Sequence, residues 1–452
     1  MPTIEGIVFI PTALYFFVFY PHLLFPLLVI STAFQGSSVV SSGSLGIQPY
    51  YVVAILFVVR FLCCNVRSWG NLLRQHLFVR LWLLFAIVAV IAAATLPFLF
   101  HGLPVFGPEQ TIDDNFISPT SLHFQFTNVV QSAFLVLNVL VVIAAAKEGL
   151  HVPVAHKAFK WLSYIVVSVV LLQVLFFRFD LPFPQKLLVN NPGYSLAQMN
   201  ASQVRPAGSF TEPSMAGAVL AAVLAAFLWK YFEGKSGIAR CLLPAAACLL
   251  VASSSSLLAA CIAIGILVLT HPVVRLPWFI KITMLKRLSV FFVLLLGLAL
   301  LMFIPSLRAI LLAQTLEKSA SSSALVRFGA DAFAFQIVLQ TYGLGVGLGS
   351  NRPSSLVASL LSQVGIVGLV LFIAACVCTL RGLPKEHRWI GLAGLTLLLA
   401  MGFGEPDLSF PALWIMVALA AQSKASERQK APTAPRQLPE ANSMSPLPSA
   451  PS

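Results

Sequence analysis

The sequence predicts an all-α polytopic membrane protein. Composition, apolar runs of spanning length and a one-sided distribution of basic residues carry that reading. Of 452 residues, 58% are hydrophobic and only 10% are charged, and the mean hydropathy is +0.91. A soluble domain carries about 25% charged residues, so this composition belongs in lipid.

The apolar runs fall at 7–33, 47–64, 77–100, 127–146, 158–178, 213–231, 239–252, 257–270, 288–305, 355–380, 388–402 and 408–421. A crossing helix needs about 20 apolar residues, so the runs predict about 12 transmembrane helices. Those at 239–252, 388–402 and 408–421 are short for the task. The first run is interrupted by Pro11, Pro21 and Pro26, and reads as one kinked helix or as two short ones. It lacks a charged leading segment and a small-residue cleavage site, so it is expected to be retained as a span.

The formal charge of +13 invites a nucleic-acid partner, but the placement of the charges argues against one. With both termini cytoplasmic, the inner connections hold 21 of the 28 Lys and Arg residues. The outside keeps Arg178, Lys186, Arg205, Arg308, Lys318, Arg327 and Arg352. This is the positive-inside bias, a signal of topology. The seven cysteines lie in or beside spans, so no disulfide framework is expected.

Residues 1–421 thus form one transmembrane domain, and 422–452, rich in Pro, Ser, Ala and Gln, read as a disordered cytoplasmic tail. Two outer loops, about 179–212 and 306–354, exceed the usual length of a connection, and loops that long generally carry function. A third, 101–126, has acidic residues but no Lys or Arg. No internal repeat is found, which weakens a transporter built from symmetric halves.

Chemistry concentrates in the two long loops. Arg205-Pro-Ala-Gly-Ser-Phe-Thr-Glu-Pro-Ser214 runs straight into the span 213–231. Thr211 or Glu212 can cap that helix, and Pro213 suits its first turn. A helix N-terminus with a nearby arginine fork suits a phosphate; the same residues also make an ordinary capped helix beside a solvated arginine. In the second loop, 323–340 reads as a helix outside or at the interface, with Arg327 and Asp331 spaced as a surface ion pair. The glycines of Gly343-Leu-Gly-Val-Gly-Leu-Gly-Ser-Asn-Arg352, Gly345 and Gly347 among them, offer close backbone approach and exposed N–H groups. No strand precedes them, so a dinucleotide fingerprint is excluded. Ser253-Ser-Ser-Ser256 reads as a polar turn, and Glu405-Pro-Asp407 as an acidic one. With no Asp-x-Asp pair in the loops and no His/Cys cluster, neither a metal nor a cofactor is called for.

In these residues the chain resembles the O-antigen ligase and polymerase superfamily of bacterial envelope enzymes, and within it the exopolysaccharide polymerases. The likeness rests on 205–214, the serine turn, Ser323-x-x-x-Arg327, Gly343–Ser350 and Leu361-Ser-Gln-Val-Gly-Ile-Val-Gly368. It implies a GT-C-like, metal-independent, inverting glycosyltransferase of the bacterial inner membrane. Its donor would be a polyprenyl-diphosphate-linked glycan, and its surroundings the lipid bilayer and other polysaccharide-assembly proteins. Arg205 and Arg327 match family arginines that neutralise the leaving diphosphate; Arg352 joins them as a third candidate. Glu212 is the first choice of general base, ahead of Asp331 and Glu405. Ser214, Asp331, Gly345, Gly347 and Asn351 are expected to line the substrate. Ligases of the superfamily show His-Asn where this chain has Asn351-Arg352, which favours a polymerase. An O-antigen ligase and a flippase or exporter remain the alternatives.

Overall fold

In hydrocarbon every backbone N–H and C=O must find its partner within the chain, and a helix does this locally. The apolar runs accordingly become helices. The structure, a computed structural model, describes residues 3–42, 45–65, 69–107, 119–147, 152–191, 199–200, 203–270, 322–405 and 407–430. Through these residues the helices are α1 (Ile4–Phe19), α2 (Leu24–Ser31), α3 (Pro49–Asn65), α4 (Trp69–Gln75), α5 (Leu77–Leu99), α6 (Phe126–Lys147), α7 (Val152–Arg178) and α8 (Gln185–Leu188). They continue with α9 (Pro213–Phe232), α10 (Ala239–Val251), α11 (Ser254–Thr270), α12 (Ser322–Gln340), α13 (Leu356–Leu380), α14 (Arg388–Gly404) and α15 (Pro411–Lys430). The described strands pair only as short antiparallel hairpins: β1 (Val40–Ser42) with β2 (Leu45–Ile47), β3 (Pro104–Val105) with β4 (Thr120–Ser121), and β5 (Met199–Asn200) with β6 (Gln203–Val204).

Among the described residues α5, α6, α7, α9 and α13 are long and apolar enough to cross a membrane. Each predicted span falls on a helix except 288–305, which lies outside the described residues, as do Arg308, Lys318, Ser321 and 431–452. The helix predicted at 323–340 is α12.

Alanine-rich α9 is the central helix, packed by α10, α11 and α14. Small side chains permit that close approach: a Cβ on Gly217 would stand 2.6 Å from the Ser256 hydroxyl. Elsewhere the core is aromatic. The Trp82 and Trp414 rings lie 5.2 Å apart, and the Trp82 indole N–H donates to Thr379 at 3.0 Å.

The first apolar run, read as one kinked helix or as two short ones, takes the second form: a helical hairpin, α1 and α2 joined through a short 3-10 turn at Pro21–Leu23. The Thr3 amide donates to Val39 O, so α1 begins at the end of the bundle where Gly36 bonds to Ser209. α15 finishes at the opposite end, where Lys424 Nζ donates to Cys378 O and Arg381 O. The described start and finish of the chain therefore lie at opposite ends of the bundle, whereas an even number of spans would put them at the same one. Likewise 422–430 is not disordered: α15 runs through it, with Gln422 and Ser423 buried. Its polar composition disguised a helix held by packing and by the Lys424 bonds.

Candidate functional site

The segment from Arg205 to Ser214 is pinned along its length. Gln173 of α7 accepts from the amides of Ala207 and Gly208 at 3.0 and 2.7 Å. Gln35 accepts from the Thr211 amide at 3.1 Å, and Phe210 is buried. Gly208 has φ +62, and a Cβ there would stand 2.9 Å from Val170, so glycine is required. Glu212 is the N-cap residue of α9, but its side chain makes no cap bond. Its carboxylate instead accepts from the Ser214 hydroxyl at 3.0 Å and stays partly exposed.

Arg205 crosses from this segment to the turn between α10 and α11. One terminal nitrogen donates to Val251 O at 3.2 Å and to Ala252 O at 2.5 Å, the final carbonyls of α10. A cation suits that negative helix end. Ala252 is left-handed, φ 59, a conformation costing an alanine about 1–2 kcal/mol, and Arg205 holds it. The serine turn follows: Ser256 donates to Ser253 at 3.0 Å and to Ser214 O at 3.4 Å, while the Ser253 and Ser255 hydroxyls lie 3.2 Å apart. The turn is thus part of the site's wall, which its reading as a simple polar turn missed. Four consecutive serines at a turn between two apolar runs were the available signal.

Arg327 enters from α12. Its Nη1 would lie 3.8 Å from a Cβ on Gly404, which in turn would stand 2.9 Å from the Ser255 hydroxyl. Its Nε is buried and has no hydrogen-bond partner among the described residues. Arg327 and Glu212 both act electrostatically on Arg205, whose pKa is lowered by burial first, then by Arg327, with Glu212 opposing. Glu405, next to Gly404, feels Glu212, Asp407, Arg352 and Arg327. Burial and the neighbouring carboxylates raise its pKa well above the usual range, against the pull of the two arginines. Arg205, Arg327, Arg352, Glu212 and Glu405 therefore meet at one end of the bundle, beside the starts of α9 and α11.

The remaining predicted residues have other duties. Asp331 accepts from the amides of Ser354 and Ser355 at 2.7 and 3.2 Å; it ties α12 to the start of α13, and no Arg327–Asp331 ion pair occurs among the described residues. Asn351 is 2% exposed; its amide donates to Ser362 at 3.0 Å and accepts from the Phe106 amide at 3.1 Å. The glycine run does not present free N–H groups. Gly345 N–H goes to Thr341 Oγ1 and Gly347 N–H to Gln363 O, and both residues are buried. Their job is close approach: a Cβ would stand 2.8 Å from Ser362 O at Gly345 and 2.9 Å from Ala92 O at Gly347. α13 receives the run at a kink, where Gly365 has φ +70. Ser214 is buried, its hydroxyl on Glu212. Asp331, Asn351, Gly345 and Gly347 thus hold the loops that shape the site.

Among the described residues no three His, Cys, Asp or Glu side chains group as a metal-ligand set. Three guanidinium groups with two helix starts can hold a multiply charged oxyanion, and a partly exposed carboxylate beside them can take a proton. The chain matches no protein-family model and no curated protein sequence.

Proposed function

We propose that the chain is a membrane glycosyltransferase that polymerises polyprenyl-diphosphate-linked oligosaccharide units at the outer face of a bacterial inner membrane. In this reading it has about 12 spans, a GT-C-like architecture and a cytoplasmic C-terminus. One observation carries the proposal: three arginines from two loops converge with two carboxylates at the end of the bundle that the basic-residue bias assigns to the outside.

The chemistry follows from the charges. The acceptor hydroxyl attacks the anomeric carbon of the donor as the bond from that carbon to the diphosphate oxygen breaks, inverting the configuration. The departing diphosphate keeps the electron pair, and its growing charge falls against Arg327 and Arg352, with Arg205 holding the wall. Preorganised donors of this kind are the largest single source of rate enhancement in many enzymes. Glu212 takes the acceptor proton: it is partly exposed, and its Ser214 bond orients it. Asp331 is a weaker choice, because Ser354 and Ser355 already occupy one of its oxygens. No metal is needed when arginines and helix starts neutralise the leaving group.

Purified protein mixed with lipid-diphosphate-linked repeat units should yield a ladder of longer lipid-linked glycans. An unchanged donor would reject the proposal. Transfer of finished glycan to a lipid A core would favour the ligase, which the Asn351-Arg352 sequence and the internal use of Asn351 disfavour. Movement of intact donor across vesicles without chain growth would favour the flippase.

A further inference from the structure

The turn after α14 holds a carboxylate that the transfer step leaves unused. Glu405 is the C-cap residue of α14 and 3% exposed. Burial removes its hydration, and it sits at the negative pole of its own helix; both favour the neutral acid. Among the described residues, the charged groups that face it come from four directions. They are Glu212 at the start of α9, Asp407 in its own turn, Arg352 before α13 and Arg327 on α12; α11 contributes the uncharged Ser255 beside Gly404. In the same cluster the buried Nε of Arg327 has no hydrogen-bond partner among the described residues, a donor open to an anion.

Resting on the diphosphate reading above, we propose that Glu405 is a further binding residue of the anion site, a neutral carboxylic acid whose O–H is donated to an oxygen of the bound diphosphate. The two carboxylates then divide the work by environment. Glu212, partly exposed, is the proton acceptor, whereas Glu405, enclosed, is a donor to the anion. A charged Glu405 would set a carboxylate against a phosphate oxygen and draw the arginines to itself. Binding and protonation of Glu405 are therefore linked. The anion raises the carboxyl's hold on its proton, and loss of that proton weakens binding by up to about tenfold per pH unit, the limit for one linked proton.

The test is calorimetric titration of inorganic pyrophosphate into the full-length protein in detergent, from about pH 6 to pH 9, a range that brackets a strongly raised carboxyl. Glu405→Gln keeps a neutral donor of similar shape and cannot ionise. Pyrophosphate titrates too, but equally for both proteins, so the ratio of their affinities isolates Glu405. Expected are similar affinities at low pH and a wild-type affinity that falls below that of Glu405→Gln by tenfold or more at high pH. At high pH the wild-type protein should also take up more protons on binding than Glu405→Gln does, read from the dependence of the heat on buffer. A ratio constant across the range, or equal proton uptake by the two proteins, overturns the role of Glu405. Absence of pyrophosphate heat at every pH overturns the diphosphate reading itself, and the role of Glu405 with it.

Discussion

Replacing Arg327 separates a catalytic role for this arginine from a structural one. Its side chain makes no hydrogen bond to the described residues, and its Nε is buried without a partner. The bond that ties this stretch of α12 to Ser354 uses the Arg327 backbone carbonyl, which any replacement keeps. Arg327→Ala therefore breaks no hydrogen bond among the described residues. With Glu405 held as the neutral acid it breaks no full ion pair there, and it relieves repulsion with Arg205. Its stability should stay near that of the wild type, within about 0.5 kcal/mol, as for replacements that leave no group unsatisfied. The rate is another matter. A group that neutralises developing charge contributes about 3–4 kcal/mol, so glycan elongation should fall by roughly 10²–10³-fold. Arg327→Lys keeps the charge but not the planar fork, and should still be impaired. The assay is the initial rate of lipid-linked glycan growth, paired with thermal unfolding in the same detergent. An Arg327→Ala rate within about threefold of wild type, on the scale where removing such a group costs 10²-fold or more, would refute the catalytic role. A parallel collapse of Tm would show that the arginine holds the fold.

Arg205→Ala should behave differently, losing both activity and stability, because two charge-assisted bonds worth about 1.5–3 kcal/mol each are removed from the α10 end; an unchanged Tm would contradict this. Gly347→Ala should destabilise by about 1–3 kcal/mol from backbone strain alone, since φ is +96 and the Cβ would stand 2.9 Å from Ala92 O; a wild-type Tm would show that the run yields. Reporter fusions at Lys157 and Arg381 should read cytoplasmic and those at Lys186 and Lys318 outside, with the two termini on opposite sides; termini on the same side would mean that α1 and α2 do not form a hairpin in the membrane.

Legibility in the sequence followed the range of the forces involved. Apolar runs gave the helices because lipid acts on each segment separately. Arg205, Glu212 and Pro213 announced a helix start because a cap is local. Glu405 stood only third among candidate bases, although it lies in the cluster, because 192 positions separate it from Pro213 and only tertiary packing joins them. The glycines misled for the same reason. Whether an N–H is free depends on a distant partner, and Gln363 and Thr341 take those of Gly347, Gly349 and Gly345. The run through Pro21 and Pro26 could be a bent span or a hairpin, since proline breaks a helix without stating where the chain goes next.

What places the arginines is a set of buried amides that join helices to loops. Gln35 holds Thr211; Gln173 holds Ala207 and Gly208; Asn128 of α6 donates to Leu348 O and Ser350 Oγ at 2.7 Å each. Gln363 of α13 accepts from the Gly349 amide and donates to Asn351 O, both at 2.7 Å. Each of these amides satisfies loop backbone groups that would otherwise be buried without a partner, at a cost of about 1–3 kcal/mol apiece. Slackening any one of them therefore carries a large penalty, and the loops bearing Arg205 and Arg352 are fixed to helices instead of drifting in solvent. A site that binds a diphosphate through arginine forks needs that rigidity, because a fork rewards angle as well as distance. It also explains why these amides look unremarkable in the sequence. An isolated Gln or Asn among apolar residues has no local pattern, and its value appears only when the loop that it holds is folded against it.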